Sequence, residues 1–190
     1  EEQFREKETP IVGDDIKAVV GSTITHRTLV KLCLDRGAII DRTYQINVGG
    51  NTDFLNMLER SRLKSKKISK TEAVRSLMPE ELKIPDENIY IGPSDFIPFL
   101  GNTKLAFIRI EGRMFANIPF NMEVRLEVND KANSAGVSID AIRCAQLALD
   151  NGIGGSLKYA SAYFMKHPPV QMSDEEARRK LDEWISRLLK

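Results

Sequence analysis

Residues 122–128 read Met-Glu-Val-Arg-Leu-Glu-Val, so apolar and charged side chains alternate strictly along this stretch. A period of two places the apolar side chains on one face of a β-strand and the charged ones on the other. Strands are also predicted at residues 89–91 and 105–110. We therefore expect an antiparallel sheet with one packed face, whose polar face meets water or a partner subunit.

The residues on either side of this sheet predict α/β structure. Short stretches of predicted extended structure at 11–12, 39–40 and 44–46 flank a helical pattern at 22–36, for which Ser22 and Thr23 are N-cap candidates. This strand–helix–strand order is typical of the end of a doubly wound domain. Further helices are predicted at residues 53–62, 70–78, 134–150 and 174–189.

The fold class expected from these elements is α/β with an α+β insert. Remnants of a Rossmann-like domain at both ends would flank an antiparallel sheet with helices on one face. The corresponding segments are residues 1–50, the C-terminal part of the Rossmann-like domain; residues 51–133, the insert; and residues 134–190, helices that return to the first domain.

The composition argues against several classes of protein. The 190 residues carry a net charge of +1, which gives no reason to expect nucleic acid or a membrane surface as a partner. No apolar run approaches the roughly 20 residues that a transmembrane helix needs. Cys33 and Cys144 lie in helical patterns, where buried thiols are expected rather than a disulfide or a metal site. We expect a soluble, cytoplasmic protein.

Two loops at strand ends carry polar side chains. Asp14 and Asp15 follow the first predicted strand, where they would either orient a ligand hydroxyl or cap a solvated turn. Residues 47–53, Asn-Val-Gly-Gly-Asn-Thr-Asp, join a strand to a helix. The two glycines would let the backbone approach a ligand closely. The alternative is an ordinary turn with Asn51 or Thr52 as the helix cap.

Lysine is concentrated at one place and isolated at another. A cluster occupies positions 64, 66, 67 and 70. Neighbouring lysines lower one another's pKa, because each positive charge disfavours the next, and a lowered pKa favours proton transfer. A phosphate bound at the amides of residues 69–71 would match the positive charge of the cluster. The alternative is a solvated basic linker. Lys166 ends an apolar run and would either extend to water or act in a site.

Six stretches of the chain match motifs that recur together in one family. They are Gly13-Asp14-Asp15-Ile16-Lys17, residues 47–53, Ser65-Lys66-Lys67-Ile68-Ser69-Lys70, Gly101-Asn102-Thr103-Lys104, Ser138-Ile139-Asp140 and Phe164-Met165-Lys166. In this order and over nearly the whole chain, they resemble the myo-inositol-1-phosphate synthase family. Residues 47–59 and 161–171 look most like its shorter prokaryotic branch.

The resemblance implies the isomerisation of D-glucose 6-phosphate to 1D-myo-inositol 3-phosphate, a step of inositol and phospholipid biosynthesis. NAD takes a hydride from C5, and the resulting ketone acidifies C6. The enolate closes onto the C1 aldehyde in an intramolecular aldol step, and NADH returns the hydride. The enzyme is therefore an isomerase without net redox change.

The resemblance also implies site residues. The active-site lysines would be Lys66, Lys70, Lys104 and Lys166. Lys66 would transfer the proton at the C5 oxygen and Lys104 would support the C1 oxygen, while the other two would serve the phosphate and the enolate. The residues implied to position the sugar, the nicotinamide and the lysines are Asp15, Asn47, Asn51, Asp53 and Asp140. The phosphate would bind at Ser69, Lys70 and Thr71.

Cofactors, partners and domain roles follow from the same resemblance. NAD is expected, and a divalent metal cation is a further candidate with no ligand set identified. A homodimer or homotetramer would form through the sheet. Residues 1–50 and 134–190 would belong to the NAD-binding domain, and residues 51–133 would form the catalytic and oligomerisation domain.

The family's glycine-rich NAD-binding turn has no counterpart in this sequence. The run Gly152-Ile153-Gly154-Gly155 follows a predicted helix, which is the wrong order for a dinucleotide fingerprint. We therefore expect that an N-terminal half on which activity depends is missing. Two other functions stay open: a related NAD-dependent oxidoreductase acting on a sugar phosphate, and a non-catalytic sugar-phosphate-binding or oligomerisation module.

Overall fold

The computed structural model describes residues 2–13, 15–59, 68 and 70–189. The chain divides into a sheet unit, Val20–Asn133, and a helical unit, Glu1–Val19 with Ser134–Lys190. Residues 20–50 therefore belong to the same compact unit as the sheet, although the sequence assigned them to the Rossmann-like segment. The roles given to the three predicted segments remain predictions.

The secondary structure of the described residues alternates between helices and strands. In chain order the elements are α1 (Glu2–Glu6), β1 (Pro10–Ile11), α2 (Ser22–Asp35), β2 (Ile39–Gly49), α3 (Thr52–Asn56), α4 (residues 70–75), β3 (Ile89–Phe96), β4 (Thr103–Arg113), β5 (Pro119–Asn129), α5 (Asp130–Asp150), β6 (Gly155–Ser156), α6 (Lys158–Phe164) and α7 (Asp174–Leu188). Short 3₁₀ turns occur at Glu80–Leu82, Asp86–Asn88, Pro98–Leu100 and Phe115–Asn117.

The sheet of the sheet unit is mixed, with the strand order β3-β2-β4-β5. β2 and β3 run parallel, with Tyr44 opposite Tyr90, whereas β4 is antiparallel to both β2 and β5. The expectation of a wholly antiparallel sheet was therefore wrong. Alternation within residues 122–128 reveals the two faces of one strand but not the direction of its neighbours. Parallel neighbours need a crossover connection, and α3 and α4 lie in the connection between β2 and β3.

Helices α2 and α4 cover one face of this sheet and form its core. Val30 of α2 and Val74 of α4 pack in one buried cluster with Ile91, Ile108 and Ile110 of the strands. Alternate residues of β4 are buried, as a strand with one covered face requires. The opposite face, which we call the outer face, is partly exposed.

The helical unit joins the two ends of the chain. β1 pairs in parallel with β6, with Pro10 opposite Gly155. The core beside this pair contains Cys144 of α5, Phe164 of α6 and Leu181 of α7. The α/β class is confirmed, and Cys33 and Cys144 are buried free thiols as expected. Among the described residues, none of the helices combines the length and apolar character that a membrane span requires.

Three helix ends differ from the sequence expectation. α2 begins after Gly21, and no side chain caps it, so the capping role expected for Ser22 or Thr23 is not found. α5 begins at Asp130, four residues before the predicted start, because the Asn129 side chain accepts a hydrogen bond from the amide of Ala132 at 3.0 Å. α3 ends at Asn56 instead of continuing to residue 62.

Candidate active site

Lys104 and Asp130 form an ion pair at the end of the sheet where β4 begins and α5 follows β5. The Lys104 Nζ lies 3.3 Å from the Asp130 Oδ1, and each side chain is 15% exposed. Lys104, Ala106 and Ile108 are every second residue of β4, so their side chains share one face of the sheet. Because Ala106 and Ile108 are buried, this is the face that the helices cover. The ring of Phe54 lies 5.8 Å from the same ammonium. The carboxylate of Asp130 and the ring of Phe54 thus fix the position of an ammonium that is largely removed from water.

Asn51 connects this ion pair to the start of α3. Its side-chain oxygen accepts hydrogen bonds from the amides of Asp53 and Phe54 at 3.0 and 3.3 Å, so Asn51 is the helix cap. Its side-chain nitrogen donates to Asp130 Oδ2 at 2.9 Å. The same Asn51 side chain therefore caps α3 and orients the Asp130 carboxylate that holds Lys104. Asp53 is exposed in the first turn of α3.

Gly49 and Gly50 lack side chains where other parts of the chain pack closely against them. A Cβ at Gly49 would lie 2.4 Å from the ring of Phe54, and one at Gly50 would lie 2.3 Å from the backbone nitrogen of Gly101. The expectation that these glycines admit a ligand is corrected accordingly. They let the loop that carries Asn51 pack against the turn that precedes β4.

Asn47 lies inside the sheet unit. It is fully buried, its side-chain nitrogen donates to the carbonyl of Gly92 at 2.8 Å, and its oxygen accepts from Gln45 Nε2 at 3.3 Å. Its amide therefore ties β2 to β3. The expected role of Asn47 toward sugar or nicotinamide stays a prediction.

Lys70 begins the described part of α4 and is buried, with 5% of its surface exposed. The buried Arg27 of α2 donates hydrogen bonds to the carbonyl of Ala73 and to the hydroxyl of Ser76, which fixes α4 against α2. Lys66 and Ser69 lie outside the described residues. Thr71, expected to bind phosphate with them, is partly buried in α4.

The start of α2 was predicted from the sequence, but its lack of a side-chain cap was not. This helix has 14 residues, and its N-cap, Gly21, supplies no side-chain hydrogen bond. The hydroxyl of Thr23 is buried and has no hydrogen-bond partner within the described part of the chain. Uncapped amides at the positive end of a helix attract anions.

His26 lies one turn further along α2 and is fully buried. Its Nε2 is 2.8 Å from the hydroxyl of Thr43, which hydrogen-bonds to the carbonyl of Arg109. Burial lowers the pKa of His26 from 6.5 to about 4, against a smaller upward effect of the Gln45 side chain. His26 is therefore neutral at physiological pH and acts as a core hydrogen-bonding group.

A second lysine–aspartate pair lies in the helical unit. The Nζ of Lys166 is 3.0 Å from Asp15 Oδ2, with the side chains 13% and 22% exposed. The backbone amide of Lys166 also donates to the carbonyl of Asp15 at 2.7 Å. Two residues that the sequence assigned to the site on separate grounds thus contact each other.

Lys17 ends the first family motif, but sequence analysis assigned no role to it. It is 2% exposed, and its Nζ donates to the carbonyl of Ala162 and to Asp174 Oδ1, each at 2.9 Å. Its backbone amide donates to the carbonyl of Phe164 at 2.7 Å. Lys17 therefore holds the segment that carries Asp15 against the end of α6 and the start of α7.

Asp140 occupies a different setting from the paired aspartates. It is largely exposed on α5, where it pairs with Arg143 at 3.0 Å. Both border a cavity of about 410 Å³ that Cys144 and Phe164 also line. Burial, and then the charge of Asp140, raises the pKa of the Cys144 thiol, so this cysteine is not an activated nucleophile.

Neither expected cofactor has a complete site in the described residues. His, Cys, Asp and Glu form no group of three or more there that would hold a metal ion, so the divalent metal is not supported. A Cβ at Gly154 would lie 2.7 Å from the backbone of Glu8, so this glycine serves internal packing. The run at 152–155 also follows helix α5 instead of a strand, so its order does not fit the phosphates of a dinucleotide.

Comparison with known proteins places these features in a family. The family described as myo-inositol-1-phosphate synthase matches residues 21–131. The chain belongs to the myo-inositol-1-phosphate synthase family. The matched residues contain Lys104, Asp130 and Asn51, whereas the pair Lys166–Asp15 lies outside them.

Similar proteins cover almost all of this chain. The inositol-3-phosphate synthase of Mycolicibacterium smegmatis is 57% identical over 185 residues, which are 96% of this chain and 51% of that protein. The inositol-3-phosphate synthase of Mycobacterium tuberculosis is 57% identical over 183 residues, 96% of this chain and 49% of that protein. This chain spans about half the length of these relatives.

A solved structure has the same fold. It is a myo-inositol-1-phosphate synthase-related protein from Thermotoga maritima, with a TM-score of 0.80 and 26% identity. The match covers 96% of this chain and 47% of that one. The matches to the two synthases and to this structure therefore extend beyond residues 21–131, to the segments that carry Asp15 and Lys166.

Proposed function

We propose that this chain forms the sugar-phosphate half of an NAD-dependent inositol-3-phosphate synthase, which isomerises D-glucose 6-phosphate to 1D-myo-inositol 3-phosphate. The observation that carries the proposal is the presence of two lysine–aspartate ion pairs in a member of this family. At most 22% of any of the four side chains is exposed. Mostly buried cations held by carboxylates suit a reaction that develops negative charge on several oxygens.

Lys104 supports the C1 oxygen in this proposal. As the enolate closes onto the C1 aldehyde, negative charge develops on that oxygen, and a preoriented ammonium stabilises it. Asp130 and Asn51 keep the ammonium in place before the substrate arrives, which reduces the reorganisation needed in the transition state. Asp130 is therefore a positioning residue that the family motifs named above did not include.

The remaining lysines divide between proton transfer and the phosphate. Lys66 transfers the proton at the C5 oxygen, and Lys70 and Lys166 serve the phosphate and the enolate. Asp15 orients Lys166 through the 3.0 Å contact. The other positioning residues of the proposal are Asn47, Asn51, Asp53 and Asp140.

We assign the phosphate dianion to helix N-termini. The amides of residues 69–71 are one candidate, and the uncapped start of α2 at Gly21 is the other. Both helices belong to the sheet unit, and Arg27 joins them through its hydrogen bonds to Ala73 and Ser76.

NAD supplies hydride acceptance and return at C5 when it is bound. Because the glycine run at 152–155 does not fit dinucleotide phosphates, the proposal assigns NAD binding chiefly to residues beyond these 190. The relatives' greater length supports this assignment, since they are about twice as long as the matched region. The activity is proposed for the whole protein, acting in the cytoplasm and supplying inositol phosphate for phospholipid synthesis.

We also propose that the protein is a homo-oligomer, a dimer or tetramer, that assembles through the outer face of the sheet. Tyr44 and Tyr90 lie side by side there and are 38% and 46% exposed. Nearby, Arg109 pairs with Glu111 and Glu123. An exposed aromatic centre with charges of both signs suits a second copy of the same surface.

The decisive experiment for the function uses the full-length protein that contains this chain. Incubated with glucose 6-phosphate and NAD, it should form an inositol phosphate without net NADH, as followed by ³¹P NMR and absorbance at the NADH band. Lys66→Ala and Lys104→Ala should abolish product formation, and Lys31→Ala, which removes an exposed lysine paired with Asp35, should not. An oxidised sugar phosphate with stoichiometric NADH would instead identify an oxidoreductase. Sugar-phosphate binding without turnover would identify a binding module.

A further inference from the structure

We infer that Lys17 is a positioning residue that holds the Asp15–Lys166 pair in place. The effect on turnover rests on the proposed function, whereas the effect on geometry does not. Lys17 is almost completely buried, and the proposed chemistry does not use its ammonium. A buried ammonium is costly, so its retention needs a reason beyond filling space.

The pair that Lys17 would position lies on two short antiparallel segments. Ile16 and Met165 form an isolated β-bridge. On one side of the bridge, the Lys17 amide donates to the Phe164 carbonyl, and on the other side, the Lys166 amide donates to the Asp15 carbonyl, both at 2.7 Å. Asp15 and Lys166 are therefore joined through the main chain as well as through their side chains. Where these segments are held determines where the ion pair lies.

The Lys17 ammonium fixes these segments to two helices. One hydrogen bond goes to the carbonyl of Ala162, in the last turn of α6, where a cation is favourable. The other goes to Asp174, in the first turn of α7, where a carboxylate is favourable. Lys166 follows the end of α6 by two residues, so a shift of that helix end moves Lys166 directly.

An apolar side chain of similar length would fill the same space without these connections. Charge-assisted hydrogen bonds are shorter and more directional than van der Waals contacts, so they define the distance between α6, α7 and residues 15–17. Without them, the packing and the bridge between Ile16 and Met165 would remain, but the distance of residues 15–17 from α6 and α7 would be less closely defined.

The test compares two variants in the full-length protein. Lys17→Met leaves Asp174 without this partner, so a loss of folding would confuse the result. The double variant Lys17→Met/Asp174→Leu removes both charges together, so neither member of this ion pair is left without the other. We expect it to keep a melting temperature near that of the wild type while kcat falls about tenfold to a hundredfold, since misplacing a catalytic group by about 1 Å has that effect. Lys31→Met is the matched control and should keep wild-type kcat.

A crystal structure of the double variant supplies the readout that stability alone would not change. The distance from Lys166 Nζ to Asp15 Oδ2 should increase from 3.0 Å to beyond about 4 Å, the usual limit for an ion pair. An unchanged distance together with wild-type kcat would overturn the inference and leave Lys17 a stabilising residue only. If the wild-type protein forms no inositol phosphate, the proposed function fails, and the distance alone decides the role of Lys17.

Discussion

The carboxylate of Asp130 contacts the ammonium of Lys104, with 3.3 Å between Oδ1 and Nζ. The other oxygen of the same carboxylate accepts a hydrogen bond from Asn51 at 2.9 Å. Asp130 thus links the end of one strand, the start of another and the cap of a helix. Its position, not its own reactivity, accounts for its proposed part in the site.

Replacing Asp130 with Asn should lower kcat of the full-length protein by about a hundredfold, because Lys104 loses the group that orients it. The amide retains the size of the carboxylate and can still meet Asn51, so the melting temperature should change by only a few degrees. Steady-state kinetics of inositol phosphate formation and a thermal scan test this. Asp35→Asn, at an exposed helical ion pair, is the matched control. Wild-type kcat in Asp130→Asn would remove Asp130 from the site.

The close approach at Gly50 predicts a large effect of one methyl group. A Cβ there would lie 2.3 Å from the nitrogen of Gly101, so Gly50→Ala should lower the free energy of unfolding by about 3 kcal/mol, at the upper end for overpacking. Gly13 has open space around it and no positive φ. Gly13→Ala should therefore change the free energy of unfolding by less than about 1 kcal/mol. Urea denaturation measures both, and equal effects would contradict the packing argument.

The burial of His26 predicts a loss of stability in mild acid. Its pKa is depressed from 6.5 to about 4, so the unfolded chain binds a proton at a higher pH than the folded one. Above pH 6.5, neutral His26 does not reduce the free energy of unfolding. As the pH falls from 6.5 toward 4, the free energy of unfolding decreases by up to about 3 kcal/mol. Urea denaturation at several pH values should show a flatter dependence in His26→Gln than in wild type.

His167→Gln is the control for this measurement, because His167 is the other histidine and is exposed. It should retain the wild-type dependence on pH. If both variants had the same dependence, the acid sensitivity would come from groups other than His26.

The outer face of the sheet predicts a change in assembly. Tyr90→Glu places an extra negative charge among exposed aromatic residues, so it should shift the full-length protein toward smaller species in light scattering. Leu32 of α2 is also exposed, at 49%, but lies on the helix that covers the other face. Leu32→Glu should leave the mass unchanged. A strictly monomeric wild type would contradict the oligomer proposal.

Local sequence patterns predicted the positions of strands and helices more successfully than they predicted which strands pair in the sheet. The alternation at residues 122–128 correctly predicted β5, which has regularly alternating exposure. The parallel pairing of β2 with β3 was missed, because pairing depends on long-range topology that a period of two does not contain. The helix predicted at residues 174–189 is confirmed as α7, and the Ser173 side chain that caps it accepts a hydrogen bond from the amide of Glu176, only three residues away in sequence.

The site residues named from the family motifs remain predictions, and the sequence did not indicate how they are paired. Lys104 and Lys166 came from the family motifs, yet the partner of Lys104 was missed because Asp130 was placed in a loop before a helix thought to begin at 134. The Asn129-Asp130 pair at the end of a strand was the available signal, since Asn is a favourable cap. The burial of Lys17 and Asn47 depends on tertiary packing, so no local pattern revealed it.

Supplying the full-length protein with NAD and glucose 6-phosphate and identifying the phosphorylated product by ³¹P NMR distinguishes an isomerase from an oxidoreductase. An isomerase should form an inositol phosphate, without accumulation of NADH, and Lys104→Ala should abolish its formation. An oxidised sugar phosphate with one NADH per molecule, or unchanged turnover in Lys104→Ala, would contradict the proposed function.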